Sequence, residues 1–149
     1  MVGLLVPLII ALTFVPFVLE HQDLLEGRWT SVVDVSIFLL LLLMLLASWL
    51  QTMFTDPGTT PIAWHEWISR QENARGEFRM CHRTNLYRPP RSHFDSVTRR
   101  VVLNMDHFCP WVVNCVGFYN KKFFVLFLIY TSLTTSCNLS SPTYRTKPS

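Results

Sequence analysis

The chain is poor in charge: Asp, Glu, Lys and Arg together make up 15% of its 149 residues, where an ordinary soluble domain carries roughly 25%. That shortage excludes a typical soluble enzyme surface. The formal net charge of +3 is also too small, and too interrupted by apolar segments, to suit a nucleic-acid partner. Cysteine is scarce as well. Cys81, Cys109, Cys115 and Cys137 are too few and too irregularly spaced for a disulfide scaffold. Three of them fall in the polar middle of the chain, which fits a reducing compartment and a catalytic or metal-binding use. The five glycines form no Gly-rich phosphate loop, and the sequence shows no internal repeat. The first apolar segment lacks a basic stretch ahead of it and a small-x-small site behind it, so it reads as a membrane span rather than a secretory signal peptide.

What is abundant is hydrocarbon, and it comes in blocks. Residues 2–19 and 35–54 contain no charged side chain, and each is close to the roughly 20 helical residues that cross a bilayer. Pro7 and Pro16 in the first block are tolerated in membrane helices. A third block, residues 123–139, opens on Phe123 and Phe124 but turns rich in Ser and Thr, and its 17 residues make it a partial span. Between the first two blocks stand Glu20, Asp23, Glu26 and Asp34 against Arg28 alone. Residues 56–122 carry Arg70, Arg75, Arg79, Arg83, Arg88, Arg91, Arg99, Arg100, Lys121 and Lys122. Basic loops stay in the cytoplasm, so the middle lobe is expected there and the short acidic loop on the lumenal side. Residues 140–149 are polar, with Pro142 and Pro148, and read as a disordered tail.

The chemistry lies in the polar middle. Asp106-His107-Phe108-Cys109 sets a carboxylate, an imidazole and a thiol within four residues. A thiol is a strong nucleophile only as thiolate, and a neighbouring His can take its proton. The Asp can in turn hold the His tautomer and stabilise its cation. Sequence proximity is not spatial alignment, so a cysteine that only packs inside a small lobe remains the competing reading at this level.

A longer pattern surrounds these residues. Arg88-Pro-Pro-Arg-Ser-His93 is followed by Met105-Asp-His-Phe-Cys-Pro-Trp-Val-Val-Asn-Cys-Val-Gly117 and Asn120, and Asp56-Pro57-Gly58 comes directly after the second apolar block. This resembles the cysteine-rich domain of DHHC protein palmitoyltransferases, in a variant Asp-His-Phe-Cys form. The resemblance implies an α-helical integral membrane protein, with two clear spans plus a partial third and a small irregular cytosolic lobe of short β-hairpins. The implied organisation is spans and a lumenal loop over residues 1–54, a cytosolic linker with the Asp-Pro-Gly motif over 55–79, and the DHHC-like domain over 80–120. The third span would cover 121–139 and the tail 140–149.

By the same resemblance Cys109 takes the acyl group from palmitoyl-CoA and passes it to a cysteine of a substrate protein. His107 is the general base and Asp106 orients it. Trp111, beside the nucleophile, falls on the acyl-CoA side or serves as an interfacial anchor. The implied partners are the bilayer, palmitoyl-CoA as co-substrate and cysteine-containing proteins, with no nucleic acid. The family default for location is the endoplasmic reticulum or Golgi.

Two departures qualify these implications. Family members hold two zinc ions through Cys and His, but here only Cys81 and Cys115 keep ligand positions. Thr84, Phe94, Asp95, Thr98, Val101 and Phe108 occupy the other six, so no bound metal is expected. Cys81, His82 and His93 make a weak substitute site, since adjacent residues point apart and a fourth ligand is missing. Phe94, Val101 and Phe108, helped by Val97, Val102 and Leu103, are instead expected to form an apolar core. The second departure is length. The family's fourth span and T-T-x-E motif have no counterpart, and Thr134-Thr135-Ser136-Cys137 only mimics that motif, so the chain reads as C-terminally truncated. The alternative function is therefore a catalytically inactive membrane protein that keeps the lobe as a binding module.

Overall fold

A computed structural model describes residues 5–20, 29–71 and 74–139. The expected disordered tail lies outside the described residues, as does most of the acidic loop. The elements in chain order are helix α1 (Leu5–Glu20), α2 (Trp29–Phe54), α3 (Ile62–Ser69), a four-residue turn α4 (Ala74–Glu77), strands β1 (Met80–Cys81), β2 (Leu86–Tyr87), β3 (His93–Asp95), β4 (Arg100–Val102), β5 (His107–Cys109) and β6 (Asn114–Val116), and helix α5 (Lys121–Leu139). They gather into two compact units, residues 1–50 with 123–149, and residues 51–122.

In the helical unit, apolar side chains meet where aromatic rings can stack. Phe17 and Phe38 lie 3.9 Å apart between centroids, and Phe14 stacks on Phe38 at 6.3 Å. Phe17, Phe38 and Leu42 form the buried centre of this cluster. Leu39, Leu40 and Leu43 of α2 are exposed, which leaves a hydrocarbon face with no protein partner among the described residues.

One described helix, over Val32–Phe54, is long and apolar enough to cross a membrane. Helix α1 as described has 16 residues, about 24 Å at 1.5 Å per residue, short of the roughly 30 Å hydrocarbon core. Helix α5 has 19 residues, and its hydroxyls do not stand bare. Thr131 Oγ1 donates to the Phe127 carbonyl at 2.7 Å, Ser132 Oγ to Leu128 at 3.0 Å, Thr134 Oγ1 to Tyr130 at 2.7 Å and Ser136 Oγ to Ser132 at 2.8 Å. Back-bonding of this kind satisfies the hydroxyl within its own helix, so the polar composition that weakened the sequence signal carries little desolvation cost.

The stretch 55–79 is more than a linker. Residues 62–69 form α3, where Trp64 and Trp67 lie on one face and gather with Phe78 at centroid distances of 5.2, 5.3 and 5.8 Å. Trp64 Nε1 donates to the Tyr87 carbonyl at 3.0 Å, which ties this cluster to β2.

The rest of the polar unit is three antiparallel hairpins, β1–β2, β3–β4 and β5–β6. Their loops, residues 82–85, 96–99 and 110–113, each end on a residue in the left-handed region: Asn85 at φ 53°, Arg99 at 56° and Val113 at 51°. These positions are spaced fourteen residues apart. A sequence without an internal repeat thus carries a repeat of the backbone. The repeat is one of turn geometry, and the side chains riding on it differ too much for it to show in the sequence.

The Asp-Pro-Gly segment joins the hairpins. Asp56 Oδ1 accepts the Gly58 N–H at 2.7 Å, and Oδ2 accepts Arg100 Nη1 at 2.8 Å. The Pro57 carbonyl accepts from Tyr119 N at 3.3 Å, the Gly58 carbonyl from Leu103 N at 3.0 Å, and the Leu103 carbonyl from Phe118 N at 3.0 Å. Gly58 sits at φ +101°, with the Tyr119 ring 2.9 Å from where a Cβ would be. At Gly117 an added Cβ would meet the Pro57 carbonyl oxygen at 2.6 Å and Val102 Cγ1 at 2.7 Å. Both obstacles are rigid. Gly117→Ala is thus expected to cost about 1–3 kcal/mol by overpacking, measured as a lowered denaturation midpoint of the detergent-solubilised chain.

Candidate active site

Residues 107–109 form β5 and pair with β6 in the register His107↔Val116, Phe108↔Cys115 and Cys109↔Asn114. Side chains alternate along a strand, so His107 and Cys109 share one face and Phe108 takes the other. Cys109 is buried at 3% exposure, and His107 is exposed. Asp106 precedes the strand. Its N–H donates to the Val116 carbonyl at 2.9 Å, extending the ladder by one bond, and its carboxylate meets Lys121 Nζ at 3.2 Å. The strand thus places the predicted thiol and imidazole on a common side, with the carboxylate one residue upstream and held by a lysine.

The turn after Cys109 is tight. Val113 N–H donates to the Pro110 carbonyl at 3.3 Å, and Val113 itself adopts φ 51°, a conformation that a β-branched residue rarely takes. Trp111 stands in this loop at 48% exposure, projecting from the hairpin tip rather than into its core.

Two residues that the sequence reading left without a role hold this hairpin. Asn114 and Asn120 are both buried. Asn114 Nδ2 lies 3.1, 3.0 and 3.0 Å from the carbonyls of Thr52, Met53 and Thr55, and its Oδ1 accepts the Cys115 N–H at 2.9 Å. Asn120 Nδ2 donates to the Cys115 carbonyl at 2.8 Å and to Thr52 at 3.3 Å, while its Oδ1 accepts the Gly117 N–H at 2.8 Å. The last carbonyls of a helix have no partner within it. Here the C-terminal turn of α2 finds its partners in the Asn114 amide, opposite Cys109. The signal was present in the sequence as two asparagines flanking Cys-Val-Gly, but an amide's partners cannot be read from spacing.

The other thiols differ. Cys115 is fully buried, and its Sγ donates to the His107 carbonyl at 3.5 Å. Burial, with help from the charges of Asp95 and Asp106, pushes its pKa up to about 11 against the pull of Arg100, so it stays a thiol at neutral pH. Cys81 is buried too, but the hydroxyl and amide of Thr84, the Arg83 amide and the Arg88 charge outweigh that burial and lower its pKa.

The six substituted ligand positions fall into direct contacts of another kind. Phe94 pairs across the hairpin with Val101, and Phe108 with Cys115. Asp95, 3% exposed, accepts the amides of Val97 and Thr98 at 3.3 and 2.8 Å and also the Thr98 hydroxyl. Phe94, Val101 and Phe108 present hydrocarbon where a metal needs a lone pair. Among the described residues no three His, Cys, Asp or Glu side chains gather as a metal site. Cys81 is buried while His82 and His93 point to solvent. The apolar centre differs from the expected one. Val102, Val112 and Val116 are fully buried together with Cys115 and Pro57; Phe94, Val101, Leu103 and Phe108 are half-buried, and Val97 is 61% exposed at a hairpin tip.

Burial alone would raise the Asp95 pKa, but the Thr98 and Val97 hydrogen bonds and the Arg100 charge outweigh it and hold the carboxyl below its ordinary value of 3.8. A depressed carboxylate pKa contributes stability that is complete above the unfolded value and lost as pH falls through the folded one. Denaturation of the polar unit is therefore expected to become easier below about pH 4, and Asp95→Ala to remove most of that acid sensitivity while lowering stability at pH 7. Midpoints measured across pH 2–7 for both forms check this.

Comparison with known proteins covers the stretch that carries the hairpins. The profile of the family described as DHHC palmitoyltransferase matches residues 74–145. The chain is 40% identical over 121 residues to "Probable protein S-acyltransferase 13" of Arabidopsis thaliana, covering 71% of this chain and 40% of that protein. It is 36% identical over 157 residues to "Probable protein S-acyltransferase 14" of the same plant, covering 89% and 51%. It is 39% identical over 127 residues to "Palmitoyltransferase ZDHHC7" of Mus musculus, covering 82% and 41%. The chain spans two fifths to about half the length of these curated relatives. With its Asp-His-Phe-Cys strand and the hairpins around it, the chain belongs to the DHHC palmitoyltransferase family.

Proposed function

We propose that the protein is a protein S-acyltransferase whose nucleophile is Cys109. The observation that carries this reading is the strand β5, which sets the exposed His107 and the buried Cys109 on one face. The Cys109 thiol gives its proton to His107, and the thiolate attacks the thioester carbonyl of palmitoyl-CoA. The tetrahedral intermediate collapses, the C–S bond to coenzyme A breaks, and the departing thiolate takes the proton back from His107. A cysteine thiol of the substrate protein then loses its proton to His107 and attacks the acyl-Cys109 thioester. Cys109 leaves and is reprotonated. Each step exchanges one thioester for another, so no further energy source is needed. Asp106 stabilises the imidazolium, and Trp111 lies on the side from which the acyl-CoA approaches.

Around this centre we place a multi-pass membrane protein of the endoplasmic reticulum or Golgi with the polar unit in the cytosol. The exposed hydrocarbon of α2 and the self-satisfied hydroxyls of α5 support α2 and α5 as spans, with α1 as a further one. The cavity lined by Val6, Ile10, Leu42, Leu45 and Phe127 measures about 90 Å³. That is well below the roughly 300 Å³ at which ligand pockets begin, so a long acyl chain needs room beyond it.

The acyl-enzyme is tested by incubating the chain with a labelled long-chain acyl-CoA and releasing the label with hydroxylamine. Cys109→Ala is expected to abolish labelling and His107→Ala to slow it about 10²–10⁴-fold, the usual loss for a general base. Cys81→Ala is the control for the thiol whose pKa is lowered and should retain the label. Equal labelling of the wild type and Cys109→Ala would move the nucleophile elsewhere and favour a binding module.

The lobe is further proposed to fold without zinc. Its positions for metal ligands are filled by cross-strand hydrocarbon and by the Asp95–Thr98 hydrogen bonds. Elemental analysis of the purified chain should find less than one zinc per molecule, with hairpin stability indifferent to chelator. Close to two zinc per chain would overturn this.

A further inference from the structure

A second cavity lies apart from the nucleophile, between α3 and the first two hairpins. It measures about 250 Å³, and Thr60, His65, Thr84, Arg99, Arg100 and Val101 are among its lining residues. Three of these lining residues carry a buried polar atom, Thr60 Oγ1, His65 Nδ1 and Arg100 Nε, that has no hydrogen-bond partner within the protein. Thr84, another of them, carries a fourth buried polar atom, Oγ1, beside the Cys81 thiol. These four are all the side-chain atoms of this kind among the described residues, and they share one cavity. Buried donors in native proteins are nearly always paired, so such convergence marks a place where something else supplies the partner.

The chemistry of the wall selects what that is. Arg100 Nε can only donate, the threonine hydroxyls can donate, and an imidazole nitrogen donates in one tautomer. No acidic residue lines the cavity, whereas two arginines do. The Asp56 carboxylate engages Arg100 through Nη1, on a different edge from Nε, and Asp95 reaches Arg100 only as a nearby charge. The volume is several times the roughly 30 Å³ share of one water, yet below the roughly 300 Å³ at which drug-sized pockets begin. Thr84 and Val101 also stand at two of the positions where the family resemblance puts metal ligands.

We propose that this cavity is a binding site for a small tetrahedral oxyanion, inorganic phosphate or the terminal group of a phosphate monoester. Arg100 Nε, Thr60 and His65 would donate to it, and Arg99 would supply a second positive charge. The site is independent of the acyl-transfer reading, since it uses none of the residues placed in that reaction.

The test uses the purified full chain in detergent. Inorganic phosphate and glycerol phosphate are titrated in separate arms at constant ionic strength, with chloride as the balancing anion. Binding is read directly by equilibrium dialysis, and indirectly by the rise in thermal midpoint that a ligand of the folded state produces. Saturable binding in the millimolar range or tighter is expected in at least one arm. The tighter arm tells whether the free ion or an ester is the natural ligand. Thr60→Val keeps the side-chain shape and should weaken binding roughly tenfold or more, the loss for one hydrogen bond to a charged group. His65→Leu should do the same. Asp56→Asn, which leaves every proposed donor in place, should bind at least as well as the wild type. The proposal is overturned if neither arm saturates, or if Thr60→Val and His65→Leu both fold and bind unchanged.

Discussion

Two buried carboxamides converge on the carbonyl of Thr52, and the arrangement of the polar unit depends on them. Asn114 and Asn120 each donate to that oxygen, and each uses its own amide oxygen to hold a backbone N–H of the segment between them. A helix terminus leaves carbonyls that must be met, and a short hairpin cannot keep register on its own pairing alone. One set of hydrogen bonds answers both needs. Replacing either asparagine would leave several buried backbone groups unmet at once, at about 1–3 kcal/mol for each. The same cross-link fixes where Cys109 stands, because Asn114 is its cross-strand partner.

The lobe around that hairpin is small, and its strands are two or three residues long. Domains of this kind ordinarily need a staple such as a metal. Here the cohesion is distributed. The Asp-Pro-Gly turn bonds to both β-hairpin ends through backbone groups, Asp95 caps the loop of the second hairpin, and Val102, Val112 and Val116 close a small apolar centre. Two of these devices use carboxylates, Asp56 and Asp95, whose pKa values are lowered by their hydrogen bonds and by Arg100. The consequence is a lobe whose cohesion depends on two carboxylates staying ionised, and which is therefore sensitive to acid.

Much of this was legible in the sequence. The apolar blocks and the family follow from composition and from a motif of some forty residues. Other features were not legible, for identifiable reasons. The hairpin repeat rests on residues in the left-handed region, and Asn85, Arg99 and Val113 share no side-chain chemistry. Helix α3 hid inside a linker because its apolar face is made of tryptophans spaced for packing on Phe78, eight residues being too few for a periodic signal. Val97 looked like core because it is Val, but hairpin geometry puts it at a tip. The polar half of α5 made it read as a partial span, because composition does not reveal that its Ser and Thr hydroxyls are returned to the helix backbone.

The backbone at His107 is held on both sides. The amide of Asp106 is bonded to Val116, and the carbonyl of His107 receives the Cys115 thiol. The strand position from which the imidazole projects is thus set by a bond on either side of it. On the proposed reading, a base that serves first one sulfur and then another has to keep its place between them, and a backbone pinned on both sides keeps it there. Cys115 would then act as one of the two pins, a thiol that contributes by staying protonated.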